Sequence, residues 1–387
     1  MSSLDRIIRG PSPGSCFLGV GPMSKACVDA AILVAQKSND PLMLIASRRQ
    51  IDTAEFGGGY VNNWETHQFA DYVKEKDKAG RIVLARDHGG PWQNNKEVVD
   101  CLSLPMAIES AKRSYVADID AGFELIHIDP SICMGCDSSH DAILDRVLEL
   151  YEFCIEYARK VNKRIAFEIG TEEQNGSTNS PEEIQGTLDA LAQFCKKNQY
   201  PKPTFVVVQT GTRVLECENV GSFHEPLRVR DEIPPLILVP IMSKICKRYG
   251  VFLKAHNTDY LDNTALEWFP RLGIAGANVA PEFGVVETKF LIRLLSEFKM
   301  LKELETLAEI VYESGKWKKW MKPASTDVCV EKITVVAGHY VFSNPEVIVI
   351  RDKIRKMVAS HGGDFDRQLI ETLCSAISRY RTAFGLS

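Results

Sequence analysis

Eight short apolar runs constrain the fold of this chain more than any other feature of its sequence. Each run is near-continuous rather than alternating, and each is followed by Gly, Pro, Asn or Ser and then by a segment with helical periodicity. Strands of this kind are buried on both faces, as in a parallel sheet that is covered by helices. The runs occupy residues 15–21, 41–47, 81–88, 124–131, 164–171, 204–212, 250–258 and 273–282.

The segments between the runs have the pattern of amphipathic helices. In residues 140–161 and 180–197, apolar side chains recur at helical spacing. Ser180 supplies an N-cap for the second segment, and Glu183 supplies the glutamate of a capping box. We therefore predict a helix after each strand.

Eight strand-then-helix units predict an α/β fold, a (β/α)8 TIM barrel over residues 1–300. A doubly wound open sheet is the alternative, but no glycine-rich phosphate loop follows any of the runs. Residues 301–387 contain further helix-like stretches, which we expect to form a helical extension packed on the barrel.

Composition and charge exclude several classes of function. The net charge of -5 is spread along the chain, so we expect no nucleic-acid partner. No stretch approaches the roughly 20 apolar residues of a membrane span, so we expect no membrane association. Several of the 11 cysteines lie inside apolar runs, which favours reduced thiols and a cytoplasmic protein.

The carboxyl ends of the predicted strands are unusually polar. In a TIM barrel these ends line the one mouth where catalysis occurs, so the side chains there are candidates for function. The candidates are Asp87 and His88 in the third run, His127 and Asp129 in the fourth, Glu168 and Glu172 from the fifth, Gln209 in the sixth, His256, Asn257 and Asp259 from the seventh, and Asn278 in the eighth.

Histidines and carboxylates at one mouth are the ligand mixture that Zn²⁺ prefers, with Mn²⁺, Co²⁺ or Ni²⁺ as alternatives. His88 and His256 close runs that face one another across a barrel, so we predict them as metal ligands. His127 has apolar neighbours, and we expect a satisfied inner histidine rather than a ligand. Asp129 either takes part in catalysis or only closes a turn before Pro130.

Basic and aromatic residues also follow the predicted strands. Arg48 and Arg49 either meet a phosphate or carboxylate, or form a solvated basic pair. Tyr60, Trp64 and Trp92 either stack on a sugar ring or pin their own loops.

The sequence contains, in this order, SRRQIDTAEFGGGY, ARDHGGPWQN, HIDPS, FEIGTE, VVVQTGT, LKAHNTDY and GANVAPEFG. Together these motifs resemble the GatZ/KbaZ-type subunit family of class II D-tagatose-1,6-bisphosphate aldolase. The resemblance runs in order from about residue 15 to 300 and extends weakly to 339–346. The family resembles metal-dependent class II ketose-bisphosphate aldolases, and some relatives are regarded as ketose epimerases.

The resemblance implies roles for individual residues. His88 and His256 would be metal ligands, Glu168 a further ligand or orienting residue, and Asp87 the proton-transfer residue. Asn278 matches a substrate-binding asparagine. The catalytic candidates are Asp87, Asp129 and Glu172. The substrate-binding candidates are Gln50, Gln209, Asn257, Asp259 and Asn278.

Two departures distinguish this chain from the catalytic aldolases. Residues 211–219 lack the metal-binding histidine that those enzymes have after strand six. Asn257, Thr258 and Asp259 replace their Gly-Gly-Ser phosphate cradle, which weakens the case for a bisphosphate at that place.

Two hypotheses follow. The first is a metal-dependent aldolase or epimerase of carbohydrate metabolism that acts on a ketose or ketose phosphate. The second is a noncatalytic subunit that stabilises a separate class II aldolase chain. We also expect a homo-oligomer, and a sugar kinase is disfavoured because no nucleotide phosphate loop is present.

Overall fold

The computed structural model describes residues 1–171, 178–223, 233–322 and 329–386. Eight parallel strands close into a barrel in the order β1-β8-β7-β6-β5-β4-β3-β2, which confirms the predicted TIM barrel. The open-sheet alternative is therefore wrong. The strands are β1 Phe17–Val20, β2 Leu42–Ser47, β3 Ile82–Gly89, β4 Leu125–Ile128, β5 Ala166–Ile169, β6 Phe205–Val207, β7 Phe252–Ala255 and β8 Gly276–Val279.

Helices surround the barrel and form its extension. The helix α7 begins where its sequence predicts, because Ser180 accepts the Glu183 N–H and Glu183 accepts the Ser180 N–H. The helices are α1 Ser3–Arg9, α2 Lys25–Gln36, α3 Thr66–Lys76, α4 Asn95–Val99, α5 Leu104–Ala121, α6 His140–Lys160, α7 Pro181–Asn198, α8 Pro235–Tyr249, α9 Asn263–Leu272, α10 Pro281–Glu297, α11 Leu301–Glu313, α12 Val330–Ala337, α13 Pro345–Ser360 and α14 Phe365–Ala383.

Alternation along each strand separates two apolar cores. Val83 and Ala85 of β3 point into the barrel, whereas Leu84 points towards the surrounding helices. Leu4 and Ile7 of α1 join the inner core and close the amino-terminal end of the barrel. The inner core is apolar at its base, and polar side chains are confined to the opposite end.

The carboxy-terminal helices are packed on the barrel. α14 contacts α2 and α10, and the apolar side chains of the extension continue the outer core. Two short 3-10 segments, Lys318–Trp320 and Gly338–Val341, return towards the mouth of the barrel. The extension therefore contributes to the surface around the mouth.

Two further features differ from, or add to, the sequence predictions. The cysteines Cys133 and Cys136 of the β4–α6 loop are joined in a disulfide, contrary to the expectation of reduced thiols there. Within the described ranges, no single helix has the length and apolarity to cross a membrane. The segments Val330–Val341 and Pro345–Ser360 have that length and apolarity only when taken together, and the pair is bent by 102°.

Candidate metal centre and active site

The end of β3 places two titratable side chains at the mouth of the barrel. Asp87 follows the inward alternation of Val83 and Ala85. His88 has a φ of 44°, and the register with β4 shifts at this point, so the strand breaks its regular structure here. The His88 N–H donates to His127 Nδ1 at 3.1 Å, which ties the break to the neighbouring strand.

Three histidine rings surround the inner end of the mouth. The ring centroids of His88, His127 and His256 lie 5.0–5.4 Å from one another. One nitrogen from each ring forms a group in which all ligand atoms lie within 4.8 Å, and Asp87 and Glu168 form a second such group with His127 and His256. A buried cluster of His, Asp and Glu that fits a metal ion is thus present.

Two of these histidines are held by carboxylates. His88 donates through Nδ1 to Asp129 Oδ2 at 2.6 Å, and His256 donates through Nε2 to Glu168 Oε1 at 2.7 Å. The other nitrogen of each ring lies 3.9 Å from a carboxylate oxygen of Asp87. A carboxylate that holds one ring nitrogen so that the other is free for a metal is the usual arrangement around metal-binding histidines.

Several buried polar atoms here lack a hydrogen-bond partner within the described part of the chain. They are His127 Nε2, His256 Nδ1 and Asn278 Oδ1. A buried polar atom without a partner is costly and is rare in folded proteins. The free His256 Nδ1 faces Asp87, so the donor set fits a bound cation.

His127 is buried, as expected, but it is not fully satisfied, because its Nε2 has no partner among the described residues. Its Nδ1 lies 3.8 Å from Asp87 Oδ1 and 3.9 Å from Glu168 Oε1, so it faces the cluster. A β-carbon at Gly170 would come within 2.6 Å of His127 Nε2, so only glycine leaves room for this ring. The Nδ1 lone pair cannot serve a metal and the His88 N–H together, so metal binding by His127 would release that hydrogen bond.

The charges of the cluster are strongly coupled. Burial acts to raise the pKa of Asp87, but the charge of His88, with smaller contributions from His127 and His256, holds that pKa well below its ordinary value. Burial acts to lower the pKa of His88, whereas the Asp87 and Asp129 carboxylates raise it to about 9. Asp87 is therefore ionised, and the space beside it favours a positive charge.

Lys254 is a member of the cluster that the sequence analysis missed. It is fully buried, and its Nζ donates to Glu168 Oε2. Burial acts to raise the pKa of Glu168, and Lys254 and the histidines lower it to about 2. Both oxygens of Glu168 thus have partners, Lys254 and His256. The missed signal was the spacing of Lys254 and His256, since residues two apart point to one face of a strand.

The predicted substrate-binding residues divide between the cavity and its surroundings. Asn278 Nδ2 donates to Asp87 Oδ1 at 3.0 Å, and Gln50 and Asn257 line the mouth. Gln209 is buried near the end of β6. Asp259 lies outside the cavity wall and accepts backbone N–H groups at the start of α10.

Of the predicted catalytic residues, Asp87 and Asp129 both lie in the mouth. Asp129 accepts from Gln93 Nε2 at 3.0 Å and from the Ser131 N–H at 3.2 Å, besides His88. Glu172 lies outside the described residues.

A cavity of about 350 Å³ lies over the cluster. Its walls include Tyr60 and Arg49 from the barrel loops and three residues of the extension, Lys319, Trp320 and Tyr340.

The structure also distinguishes between the alternative roles that the sequence left open for the basic and aromatic residues. Arg48 is fully buried and pairs with Asp52 at 3.0 Å and Glu97 at 2.6 Å, so Arg48 and Arg49 do not form a solvated pair. Trp92 is buried and donates to a backbone carbonyl, so it pins its loop. Trp64 packs on other aromatic rings.

Comparison with known proteins identifies a family. Residues 14–294 match the model of the family described as D-tagatose-1,6-bisphosphate aldolase subunit GatZ/KbaZ-like. Among curated proteins, none matches this chain.

Solved structures share the fold at low sequence identity. A probable tagatose 6 phosphate kinase from Sinorhizobium meliloti 1021 has a TM-score of 0.74 and 17% identity, covering 95% of this chain and 100% of that one. The fructuronate-tagaturonate epimerase UxaE from Cohnella laeviribosi has a TM-score of 0.61 and 11% identity, covering 98% and 83%. Fructose-bisphosphate aldolase from Campylobacter jejuni has a TM-score of 0.55 and 11% identity, covering 100% and 95%.

Proposed function

The chain belongs to the D-tagatose-1,6-bisphosphate aldolase subunit GatZ/KbaZ-like family, and from that premise we propose that it is a metal-dependent enzyme acting on a ketose or ketose phosphate. Its reaction is aldol cleavage or epimerisation, both of which move a proton next to a carbonyl group.

One observation carries this proposal. The carboxylates of Asp129 and Glu168 hold His88 and His256 through one ring nitrogen each, and the other nitrogens face Asp87. A protein scaffold has no need for such an arrangement, because it leaves a buried nitrogen of His256 without a partner among the described residues.

We assign the metal ligands to the three histidines. His88 and His256 would bind through the nitrogens that face Asp87, and His127 would replace the histidine that residues 211–219 lack. A divalent metal, with Zn²⁺ as first candidate, would polarise the substrate carbonyl when bound. Glu168 serves as an orienting residue rather than a ligand, since both of its oxygens already have partners.

Asp87 is the proton-transfer residue in this proposal. It is ionised, lies at the floor of the cavity and is held by Asn278 Nδ2 at 3.0 Å. A carboxylate so placed takes a proton from the substrate and returns it within the same closed space. The Asp129 carboxylate orients His88 and is one step further from the cavity centre.

Structural relatives favour a ketose derivative as substrate. The two neighbours with the higher TM-scores are named for tagatose 6 phosphate and for fructuronate and tagaturonate, and the third is named for fructose bisphosphate. All three names describe ketose derivatives that carry at least one acidic group.

The test combines metal analysis with proton exchange. The purified full chain is expected to contain stoichiometric metal and to introduce solvent deuterium into one carbon of a ketose or ketose phosphate, as seen by NMR in D2O. His88→Ala should lose both metal and exchange, whereas His67→Ala, at an exposed position on α3, should keep both. A chain without metal whose exchange is unaffected by His88→Ala contradicts the proposal.

A noncatalytic subunit is the second candidate, because the family description names an aldolase subunit. In that case the chain alone catalyses no exchange, and mixing it with a class II aldolase chain raises the activity or thermal stability of that chain. Exchange by the isolated chain excludes this candidate.

A further inference from the structure

Two cations lie on the wall of the cavity above the histidine cluster. Arg49 follows β2, and Lys319 belongs to the 3-10 segment of the extension. No carboxylate of the described residues lies within ion-pair distance of either side chain, and Arg49 Nε is buried without a hydrogen-bond partner there. Unpaired cations in a concave site attract an anion.

The Lys319 side chain is exposed, and it lies over two aromatic rings of the extension. Its Nζ lies 4.7 Å from the ring centroid of Trp320 and 5.4 Å from that of Tyr340. Trp320 Nε1 donates to the Tyr340 hydroxyl at 3.1 Å, so the two rings form one platform.

The backbone of this segment is anchored to the barrel. The Glu216 N–H donates to the Trp320 carbonyl at 2.9 Å, and the Lys322 N–H donates to Glu216 Oε1 at 3.0 Å. Glu216 is buried in the β6–α8 connection, so the extension is fixed over the mouth from the barrel side.

The two cations act on one another across the cavity. Partial desolvation acts to lower the pKa of the exposed Lys319 ammonium group, and the charges of Arg49 and then Lys316 lower it further. Arg49 also acts to lower the pKa of His88, which places its charge beside the cluster. A bound anion would relieve the repulsion between Arg49 and Lys319.

The place where TIM barrels often bind phosphate is filled by this chain itself. That place is formed by the loops after strands seven and eight and by a following helix N-terminus. Here Asp259 Oδ1 accepts the Ala280 N–H at 3.0 Å and the Glu282 N–H at 2.9 Å, at the first turn of α10. Burial raises the pKa of Asp259, and the nearby carboxylate of Glu282 raises it further. The N–H groups of Ala280 and Glu282 therefore already have a hydrogen-bond acceptor and are not available to a phosphate.

We propose that Arg49 and Lys319 form an anion subsite that binds the single acidic group of an open-chain ketose, while its carbonyl end reaches the histidine cluster. This inference rests on the proposed function and narrows its substrate class to ketoses with one anionic terminus. A phosphate and a carboxylate both supply that chemistry, and the test separates them.

The experiment measures equilibrium binding to the metal-containing full chain by calorimetry. The probes are fructose 6-phosphate, fructuronate and neutral fructose, and the variants are Arg49→Gln and Lys319→Met. Lys318→Met is the matched control, because Lys318 is exposed in the same 3-10 segment and does not line the cavity.

Each cation variant is expected to weaken binding of the charged ketose about ten- to a hundredfold, since a hydrogen bond to a charged group contributes on that scale. Binding of fructose, metal content and the Lys318→Met control should not change. The anionic probe whose binding is weakened in the cation variants identifies the acidic group, phosphate or carboxylate, that the subsite binds. Fructose 1,6-bisphosphate should bind no more tightly than the monophosphate, because Asp259 occupies the second place.

Three outcomes overturn the inference: no saturable binding of either anionic ketose, unchanged binding in both cation variants, or an equal loss for charged and neutral ketoses. Failure of the proposed function has another signature, namely absent metal or absent deuterium exchange in the unmutated chain.

Discussion

Arg86 and Asp87 are neighbours on β3, yet they belong to two buried polar clusters with opposite properties. Arg86 points outwards and donates from Nε at 2.7 Å and from Nη2 at 2.5 Å to the two carboxylate oxygens of Asp118. Its Nη1 donates to the carbonyls of Ala46 and Ile51 at 2.7 and 2.8 Å. Every nitrogen of this guanidinium donates a hydrogen bond within the chain.

The cluster around Asp87 is incomplete by comparison. It brings together three histidines and leaves His127 Nε2, His256 Nδ1 and Asn278 Oδ1 without partners among the described residues. The atoms without partners belong to His127, His256 and Asn278, which are buried as Arg86 and Asp118 are, so burial alone does not explain the difference. A closed cluster stabilises the fold, whereas an open one is arranged for a ligand that the chain does not supply.

The largest expected effect is on catalysis. Asp87→Asn keeps the shape of the side chain and removes its capacity to accept a proton, so we expect the deuterium exchange rate to fall about 10²–10⁴-fold. The free energy of unfolding, measured in urea, should change far less than in the variant of Asp118 below. An undiminished exchange rate would remove Asp87 from the mechanism.

The outer cluster should respond in the opposite way. Asp118→Asn leaves the buried Arg86 charge without its carboxylate, and we expect the free energy of unfolding to fall by about 3–5 kcal/mol. Metal content and exchange rate per folded molecule should remain those of the unmutated chain. Equal loss of metal in this variant would mean that the two clusters are coupled, and the comparison would fail.

The barrel was predictable because buried parallel strands have a simple sequence pattern. Near-continuous apolar runs of the right length recur eight times, and each strand of the closed sheet lies in one of those runs, with β3 extending one residue beyond its run. The hairpin of Val214–Leu215 and Glu218–Asn219 was not predicted, since two-residue strands carry no periodic signal.

The candidate site was predictable only in part. His88 and His256 end apolar runs, which is the signal that indicates a place at the mouth, whereas His127 lies inside a run, which is typical of a satisfied core histidine. The pairing of His127 with Glu168 across β4 and β5 sets its position, and pairing depends on barrel register. Lys319 comes to the mouth only through the packing of the extension, which no local pattern specifies.

Removal of the metal should lower the free energy of unfolding through the cluster around Asp87 and not through the cluster around Arg86. A ligand that binds only the folded state adds about 2.7 kcal/mol when its free concentration is a hundred times Kd. We expect a chelator to lower the free energy of unfolding by about this amount in the unmutated chain. The same loss should occur in Asp118→Asn, because its mouth is intact, and no loss is expected in His88→Ala.

The smallest expected effect separates the two carboxylates that hold the histidines. Asp129→Asn removes the charge beside His88 but leaves an oxygen that accepts from its Nδ1, so we expect metal affinity to fall about 10–100-fold. The cationic partner of Asp129 is His88, which is partly exposed and keeps the Asp87 carboxylate beside it, and the other contacts of Asp129 are to Gln93 and the Ser131 N–H. Stability without metal should therefore change little.

Glu168→Gln is not equivalent, although Glu168 holds His256 in the same way. Glu168 is also the counter-ion of Lys254, which is fully buried, so its replacement leaves an unpaired charge inside the barrel. We expect this variant to lose stability as well as metal affinity. Competition with a metal-sensitive dye measures affinity, and urea unfolding of the metal-free chains measures stability. If Asp129→Asn instead keeps its metal and loses exchange, Asp129 carries a proton itself, and its role as the orienting residue of His88 is wrong.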